Sequence, residues 1–158
     1  MERLYRPNVA GLLVREEGKL LVCERSRQKG AWQFPQGGID PGETATEAVK
    51  REVREEVGFL PSQYDVVESR GGYRYDYPPE VLEYVREKRQ QPFVGQEQEY
   101  FLCRLRADAP EPSLDHREFC AYRWIAPARF RLEWLPEFKK EVYARVLADF
   151  FNVRARDK

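Results

Sequence analysis

The stretch GGIDPGETATEAVKREVREEVGFL, residues 37–60, constrains the fold most strongly because it carries a start signal and a stop signal for one helix. Pro41 and Gly42 mark a turn, and Thr44 with Glu47 has the spacing of a capping box. Gly58 is typical of the C-terminal end of a helix, where the backbone turns left-handed. These signals predict a helix between Thr44 and Gly58 that follows a glycine-rich turn.

The carboxylates of this predicted helix lie on an unusual side. At about 100° per residue, Glu52, Glu55 and Glu56 fall within one sector of roughly 100°. That sector overlaps the apolar side marked by Ala48 and Val49, so the charges border the buried face. Helix stability alone would not select this arrangement, because like charges repel. A hard divalent cation such as Mg²⁺ or Mn²⁺ would resolve the repulsion, since such ions prefer carboxylate, water and phosphate oxygens.

The rest of the chain predicts strands on both sides of this helix and a second long helix near the end. Aliphatic or alternating runs predict strands over residues 8–14, 19–23, 64–69, 72–77, 95–108 and 118–125. The charged segment 80–92 resembles an insertion that could contain a short helix. An apolar residue recurs every fourth position from Phe138 to Phe150, which predicts an amphipathic helix over residues 136–151. This order favours one α/β (α+β) domain over residues 1–158, with helices covering the faces of a mixed sheet.

The composition narrows the kinds of site that this chain can build. Lys plus Arg (27) equals Asp plus Glu (27), so any site for a polyanion must come from the local placement of charge. Cys23, Cys103 and Cys120 are widely spaced and form no CxxC pair, which argues against a disulfide framework or a thiolate zinc site. His116 is the only histidine, so a multi-histidine metal site is excluded. Any metal must therefore be held mainly by oxygen.

The same features predict a cytoplasmic protein. Three reduced thiols suit that compartment, because disulfides are rare there. The first residues lack the apolar core of a signal peptide, and no apolar run approaches the roughly 20 residues that cross a bilayer. We expect no contact with membranes, and the sequence leaves protein partners unknown.

Residues 37–59 resemble the signature box of the Nudix hydrolases. The pattern is G, five residues, E, seven residues, then R-E-x-x-E-E-x-G, and it is met by Gly37, Glu43, Arg51, Glu52, Glu55, Glu56 and Gly58. Seven fixed positions at fixed spacing make a chance match very improbable. The resemblance implies the Nudix fold, an α/β/α sandwich with a mixed β-sheet.

Further stretches resemble one bacterial branch of this family, the group that hydrolyses RNA 5′ ends and diadenosine polyphosphates. They are YRPNVAG at 5–11, WQFPQGGIDPGE at 32–43, GQEQEYFL at 95–102 and EFCAYRWI at 118–125. The similarity covers residues 5 to about 153. It implies that a triphosphorylated RNA end loses pyrophosphate and keeps a 5′-monophosphate. The alternative substrate is diadenosine tetraphosphate (Ap4A), which would yield ATP and AMP.

The resemblance also implies which residues hold the metal and perform the reaction. The expected Mg²⁺ or Mn²⁺ ligands are Glu52, Glu55, Glu56 and Glu118, together with Gly37. Arg51 would orient these carboxylates. The general base would be Glu55 or Glu118, and the sequence leaves both open. Taken alone, Glu118 would be read as a surface residue at a strand end.

Four more residues match positions that contact the substrate in this group. Arg6 matches an arginine near the phosphates, and its permanent charge suits that task. Arg25 and Phe138 match positions that stack on an RNA base, although Phe138 is equally explained as part of the apolar helix stripe. Tyr75 is expected either to line the site or to be a half-buried aromatic residue of a strand.

Two features keep other interpretations open. Glu97 and Glu99 stand where relatives often carry a basic residue, which favours a small dinucleoside polyphosphate over a long RNA because polyanion affinity depends on basic contacts. A binding or regulatory module that has kept the fold and lost the chemistry is the other alternative. Such modules usually lose carboxylates of the box, whereas all are present here.

Overall fold

The computed structural model describes residues 3–155, which form a mixed sheet between helices. The strands are β1 Tyr5–Val14, β2 Leu20–Arg25, β3 Trp32–Gln33, β4 Gln36–Gly38, β5 Tyr64–Asp76, β6 Gly95–Leu105 and β7 Phe119–Ile125. The helices are α1 Ala45–Val57, α2 Pro79–Glu87 and α3 Glu137–Phe151. This arrangement confirms the predicted α/β/α sandwich. Within residues 3–155, no helix is both long and apolar enough to cross a membrane.

Strand β1 is the centre of the sheet. The main strand order is β3-β2-β1-β6-β5, while β4 pairs with β1 and β7 pairs with β2. Strands β1 and β6 run parallel over ten residue pairs, and the other pairs are antiparallel. Because β1 pairs with β2, β4 and β6, it lies inside the sheet. Its side chains alternate and therefore reach both faces.

The alternation of β1 divides the apolar core into two layers. Val9 and Leu13 belong to the layer under α1, whereas Ala10 and Leu12 belong to the layer under α3. All four side chains are at most 1% exposed. Complete burial of a Val or Leu side chain contributes about 1.5–3 kcal/mol each, so this strand anchors both helices.

Helix α1 has the predicted ends and packs very closely on β1. The Thr44 hydroxyl accepts a hydrogen bond from the Glu47 backbone N–H at 3.1 Å, and the Glu47 carboxylate accepts one from the Thr44 N–H at 2.9 Å. Gly58 ends the helix at φ 79°. A Cβ at Gly11 would lie 3.0 Å from Cγ2 of Val53. The glycine in β1 therefore allows α1, with its carboxylates, to approach the sheet.

Helix α3 covers the opposite face. Val142 and Val146 are at most 2% exposed, while Phe138 and Phe150 pack at the border of the same layer, as the apolar stripe predicted. Tyr143 stacks on Phe34 with ring centroids 4.8 Å apart. This aromatic contact ties the segment between β3 and β4 to α3.

One sequence prediction was wrong. Residues 64–69 and 72–77 were expected to be two strands, but Tyr64–Asp76 is one continuous strand that pairs with β6. The register shifts between Arg70 and Tyr73, where Gly72 has φ 85°. A glycine pair that resembled a turn is thus an irregularity within one strand, since a bulge also uses glycine. The short helix expected within residues 80–92 is confirmed as α2.

The capping box gives a prediction about stability. Thr44→Ala removes the acceptor for the Glu47 N–H and should lower the free energy of unfolding by about 1 kcal/mol. Thr46→Ala, at an exposed position inside the same helix, is the matched control and should be neutral or slightly stabilising. Denaturant unfolding measures both, and equal stability of the two variants would contradict the capping role.

Candidate active site

A cleft of about 520 Å³ collects most of the residues that the sequence singled out. Strands β1, β2, β4 and β6, helices α1 and α2, and the segment before β7 all contribute to its walls. The predicted site residues that line it are Arg6, Arg25, Gly37, Glu52, Glu55, Glu56 and Glu118. Residues up to 112 positions apart in the chain, from Arg6 to Glu118, therefore face one space.

Two glycines of β4 allow opposite charges to approach the same backbone. A Cβ at Gly37 would overlap the Glu52 carboxylate, and a Cβ at Gly38 would overlap the Arg6 guanidinium. Glu52 and Arg6 both reach β4 because this strand pairs with β1, which carries Arg6, and also contacts α1, which carries Glu52. Any side chain at either position would displace one of these charged groups from its place, so β4 lies as a thin strand between a carboxylate and an arginine.

Arg51 links strand β4 and the turn before α1 to the carboxylates of α1. Its Nε and Nη2 donate to both oxygens of Glu43 at 2.7 and 3.0 Å, and Nη2 also donates to the Gly38 carbonyl at 2.9 Å. Nη1 donates to Glu52 at 2.7 Å and lies 3.4 Å from Glu55. The bond from Arg51 lowers the pKa of Glu43 to about 2. Arg51 thus orients Glu52 firmly and Glu55 only weakly.

Glu56 is the buried acid of the site. It is 5% exposed, and its Oε1 accepts a hydrogen bond from the Gln36 N–H at 3.0 Å. Burial raises its pKa to about 9, and the charges of Glu52 and Glu118 add to that effect. Burial also raises the pKa of Glu52, against the opposing influence of Arg51. Without a cation, Glu56 therefore holds a proton at neutral pH.

These carboxylates have the chemistry of a divalent cation site. Glu52 and Glu56 both line the cleft, and the charge of Glu52 adds to the cost of ionising Glu56, which a cation would reverse. Within residues 3–155, no three carboxylate, thiol or imidazole groups are already arranged around one point as ligands. Arg51 instead holds Glu52 and Glu55 through its own contacts. The donor set fits a hard ion that completes its shell with water and phosphate oxygens.

The wall opposite α1 is the segment before β7. The backbone N–H groups of Arg117 and Glu118 both donate to Oδ1 of Asp115, at 3.0 and 3.3 Å. This turn places Glu118 beside the first residue of β7, with its side chain in the cleft. The charge of Glu118 contributes to the raised pKa of Glu56, so the two carboxylates of this cleft lie within electrostatic reach of each other.

The floor of the cleft is a buried chain of amides that the sequence reasoning missed. Tyr100 donates to Gln98 at 2.9 Å, and Gln98 donates in turn to Asn8 at 3.1 Å and to Gln96 at 3.2 Å. Asn8 and Gln96 line the cleft. What indicates this network is the parallel register of β1 and β6, which places Asn8 opposite Gln98. That register cannot be read from one strand alone.

The predicted aromatic contacts lie behind the cleft wall. Tyr75 is 8% exposed and packs against Phe138, with ring centroids 5.4 Å apart. Burial raises the pKa of Tyr75, while Arg6 and Arg25 oppose this, which places its hydroxyl near both arginines. Tyr77, two positions along the chain, lines the cleft itself. Strand alternation puts Tyr75 and Tyr77 on the same side, so the sequence could have indicated Tyr77 as a residue of the cleft.

Two further elements border the site without having been predicted. Burial and the charge of Arg25 lower the pKa of Lys139 to about 8, opposed by Glu118. Lys139 of α3 therefore lies within electrostatic reach of both residues, although it does not line the cleft. Helix α2, in the segment that resembled an insertion, contributes Tyr84 and Val85 to the cleft. The insertion is therefore a wall of the site.

Comparisons with known proteins agree with this geometry. The family model described as NUDIX domain matches residues 4–146. An RNA pyrophosphohydrolase of Stenotrophomonas maltophilia is 40% identical over 147 residues, which cover 90% of this chain and 69% of that protein. An RNA pyrophosphohydrolase of Xylella fastidiosa is 40% identical over 153 residues, which cover 94% of this chain and 78% of that protein.

Solved structures have the same fold at lower identity. The dihydroneopterin triphosphate pyrophosphohydrolase of E. coli superimposes with a TM-score of 0.68 at 15% identity, over 94% of this chain and 97% of that chain. The Ap4A hydrolase of C. elegans gives a TM-score of 0.59 at 20% identity, over 92% and 98% of the two chains. With its signature residues gathered in one cleft and the family model matching most of its length, this chain belongs to the Nudix hydrolases.

Proposed function

We propose that this chain is a metal-dependent hydrolase of nucleoside 5′-polyphosphates and that its preferred substrate is a triphosphorylated RNA 5′ end. Water attacks a phosphorus, pyrophosphate leaves, and a 5′-monophosphate remains. The observation that carries this proposal is a single cleft in which Glu52 and Glu56 lie on one side of β4, the strand that contains Gly37 and Gly38, and Arg6 lies on the other. We call β4 the glycine strand. Relatives at 40% identity that are named RNA pyrophosphohydrolases support the choice of substrate.

Nudix hydrolases generally need divalent metal ions, and we propose Mg²⁺ or Mn²⁺ for this chain. Bound there, such an ion supplies charge neutralisation for the phosphates and a lower pKa for a water ligand. Glu52, Glu56, Glu55 and Glu118 would hold it, with the backbone of Gly37 close enough to take part because it carries no Cβ. As a ligand, Glu56 would have to be ionised, although burial raises its pKa in the free protein.

The general base would be Glu55 or Glu118. Glu55 has a half-exposed side chain and only a long contact with Arg51, so it is free to take a proton from water. Glu118 reaches the cleft from the opposite wall, on a turn fixed by Asp115. Both can approach a water between the walls, and both therefore remain candidates.

The arginines would hold the substrate. Within the described residues, Arg6 forms no ion pair within 4.0 Å, so its guanidinium is available to phosphate oxygens. Such contacts place the scissile group and draw charge away from it in the transition state. Arg25 lines the cleft and offers a planar group for stacking on a base, while Phe138 and Tyr75 pack against each other outside the cleft lining.

Diadenosine tetraphosphate, cleaved to ATP and AMP, is the second substrate that we propose. A tetraphosphate can contact both the cation and the arginines, and the charges of Glu97 and Glu99 do not hinder the binding of a small molecule.

We also propose a cytoplasmic location, because Cys23, Cys103 and Cys120 are free thiols.

A side-by-side assay tests the choice of substrate. With Mg²⁺, purified protein should release pyrophosphate from triphosphorylated RNA with a higher kcat/KM than it shows for diadenosine tetraphosphate. The reverse order would favour the second substrate. No turnover of either substrate would contradict both assignments.

Glutamine variants test the carboxylates. Glu55→Gln and Glu56→Gln keep the side-chain size but remove the charge, and turnover should fall by at least about a hundredfold if these residues serve the cation or the water. Glu16→Gln, an exposed residue of the β1–β2 turn, is the matched control and should keep full activity. Near-normal rates in both test variants, with the fold intact by circular dichroism, would refute this site.

A further inference from the structure

A second cleft of about 300 Å³ adjoins the active site and is lined almost entirely by arginine. Its lining residues are Arg25, Arg27, Arg89, Arg117 and Glu118. All of them except Arg27 also line the active-site cleft, so the two spaces are continuous. We call this space the arginine cleft. It is where an elongated substrate would continue beyond the active site.

The arginines come from separate parts of the fold. Arg27 lies in the loop after β2, Arg89 follows α2, and Arg117 is in the turn that carries Glu118. Residues so far apart in the sequence meet only because the sheet and the α2 segment bring their loops together. Their convergence could not be recognised from a chain whose total charge is balanced.

None of these guanidinium groups is neutralised by a described residue of the protein. Among residues 3–155, Arg25, Arg27, Arg89 and Arg117 form no ion pair within 4.0 Å, whereas Arg51, Arg74 and many other arginines do. Grouped cations without an acidic partner repel, so the arrangement costs stability in the free protein. An anionic ligand would remove that cost. Charge-assisted bonds to phosphate are the interaction for which arginine is best suited.

The lining favours a phosphate group over a second base. Within the part of the chain that the structure describes, no aromatic or aliphatic side chain lines the arginine cleft, so a base there could stack only on a guanidinium group, whereas each arginine can bind phosphate oxygens. A dinucleoside polyphosphate that extended into this cleft would place its second adenosine among guanidinium groups. An RNA would place a backbone phosphate here instead, which matches the lining.

Glu97 and Glu99, whose charge is unfavourable to RNA on the sequence alone, line neither cleft. Glu97 pairs with Arg74 at 2.6 Å, and neither Glu97 nor Glu99 lines the active-site cleft or the arginine cleft. Their charge lies on the β5–β6 surface. These two glutamates therefore give no structural reason to prefer a small substrate.

We propose that Arg27, Arg89 and Arg117 bind a backbone phosphodiester of RNA downstream of the 5′ nucleotide whose triphosphate occupies the active-site cleft. The inference rests on the proposed function and adds to it a reason for preferring RNA. Its consequence is that the arginines contribute to the binding of RNA and little to the chemical step.

The test compares substrates of different extent. The kinetics of Arg27→Gln and of the triple variant Arg27→Gln/Arg89→Gln/Arg117→Gln are measured with a short triphosphorylated RNA and with diadenosine tetraphosphate. Arg27 lines only the arginine cleft, which makes it the cleanest single site. The matched control is Arg104→Gln/Arg129→Gln/Arg154→Gln, which removes three exposed arginines that line neither cleft.

We expect the triple variant to raise KM for RNA by about tenfold with little change in kcat, because bonds to phosphate supply binding and not chemistry. The ratio of kcat/KM for RNA to that for diadenosine tetraphosphate should fall. The slope of log kcat/KM for RNA against log salt should become shallower by about 0.7 for each phosphate that the variant no longer neutralises. Arg27→Gln should show the same changes to a smaller degree, and the control variant should show none.

Two results would overturn the inference. One is an unchanged KM and salt slope for RNA in the triple variant. The other is an equal loss on both substrates, which would assign the arginines to the polyphosphate. Absence of turnover by the unaltered protein would contradict the proposed function instead, so the two failures are distinguishable.

Discussion

The contacts of the Arg51 guanidinium are the interaction on which the geometry of the site depends. One planar group binds both oxygens of Glu43, the carbonyl of Gly38 and the carboxylate of Glu52. It thereby links the glycine strand, the turn before α1 and the helix itself. Arginine suits this task because its donors form a fixed fork. Without it, Glu43 and Glu52 would repel each other, and the turn would lose its fixed position on the helix.

The glycine strand converts that link into a site with two signs of charge. Gly37 makes room for Glu52 and Gly38 makes room for Arg6, so a carboxylate and a guanidinium approach one strand with no side chains of that strand between them. A polyphosphate with its cation presents the complementary pattern, positive ion beside negative oxygens. The acidic side alone is unfavourable, because burial and like charge keep Glu56 protonated. The free protein therefore carries an electrostatic cost that the ligand relieves, and the arginine cleft repeats this logic with the opposite sign.

Local signals allowed α1 to be predicted closely, whereas the rest of the cleft needed tertiary information. The capping box, Gly58 and the position of Glu56 beside the apolar stripe are properties of consecutive residues, and all appear as expected. Tyr75 is buried while Tyr77 reaches the cleft, and strand alternation alone does not distinguish them. The arginines converge through loops whose paths depend on the whole sheet. The sequence could predict a cation site but not how the substrate continues beyond it.

The most direct test of the account is the number of protons released when Mn²⁺ or Mg²⁺ binds. Burial and neighbouring carboxylates raise the pKa of Glu56 to about 9, so near neutral pH the cation must displace a proton. Calorimetric titration in buffers of different ionisation enthalpy should give a release of about one proton per protein. The release should disappear above the pKa of Glu56 and in Glu56→Gln, which should also bind the cation more weakly. Binding without proton release near neutral pH, or equal release in Glu56→Gln, would contradict the assignment of Glu56 as the buried ligand.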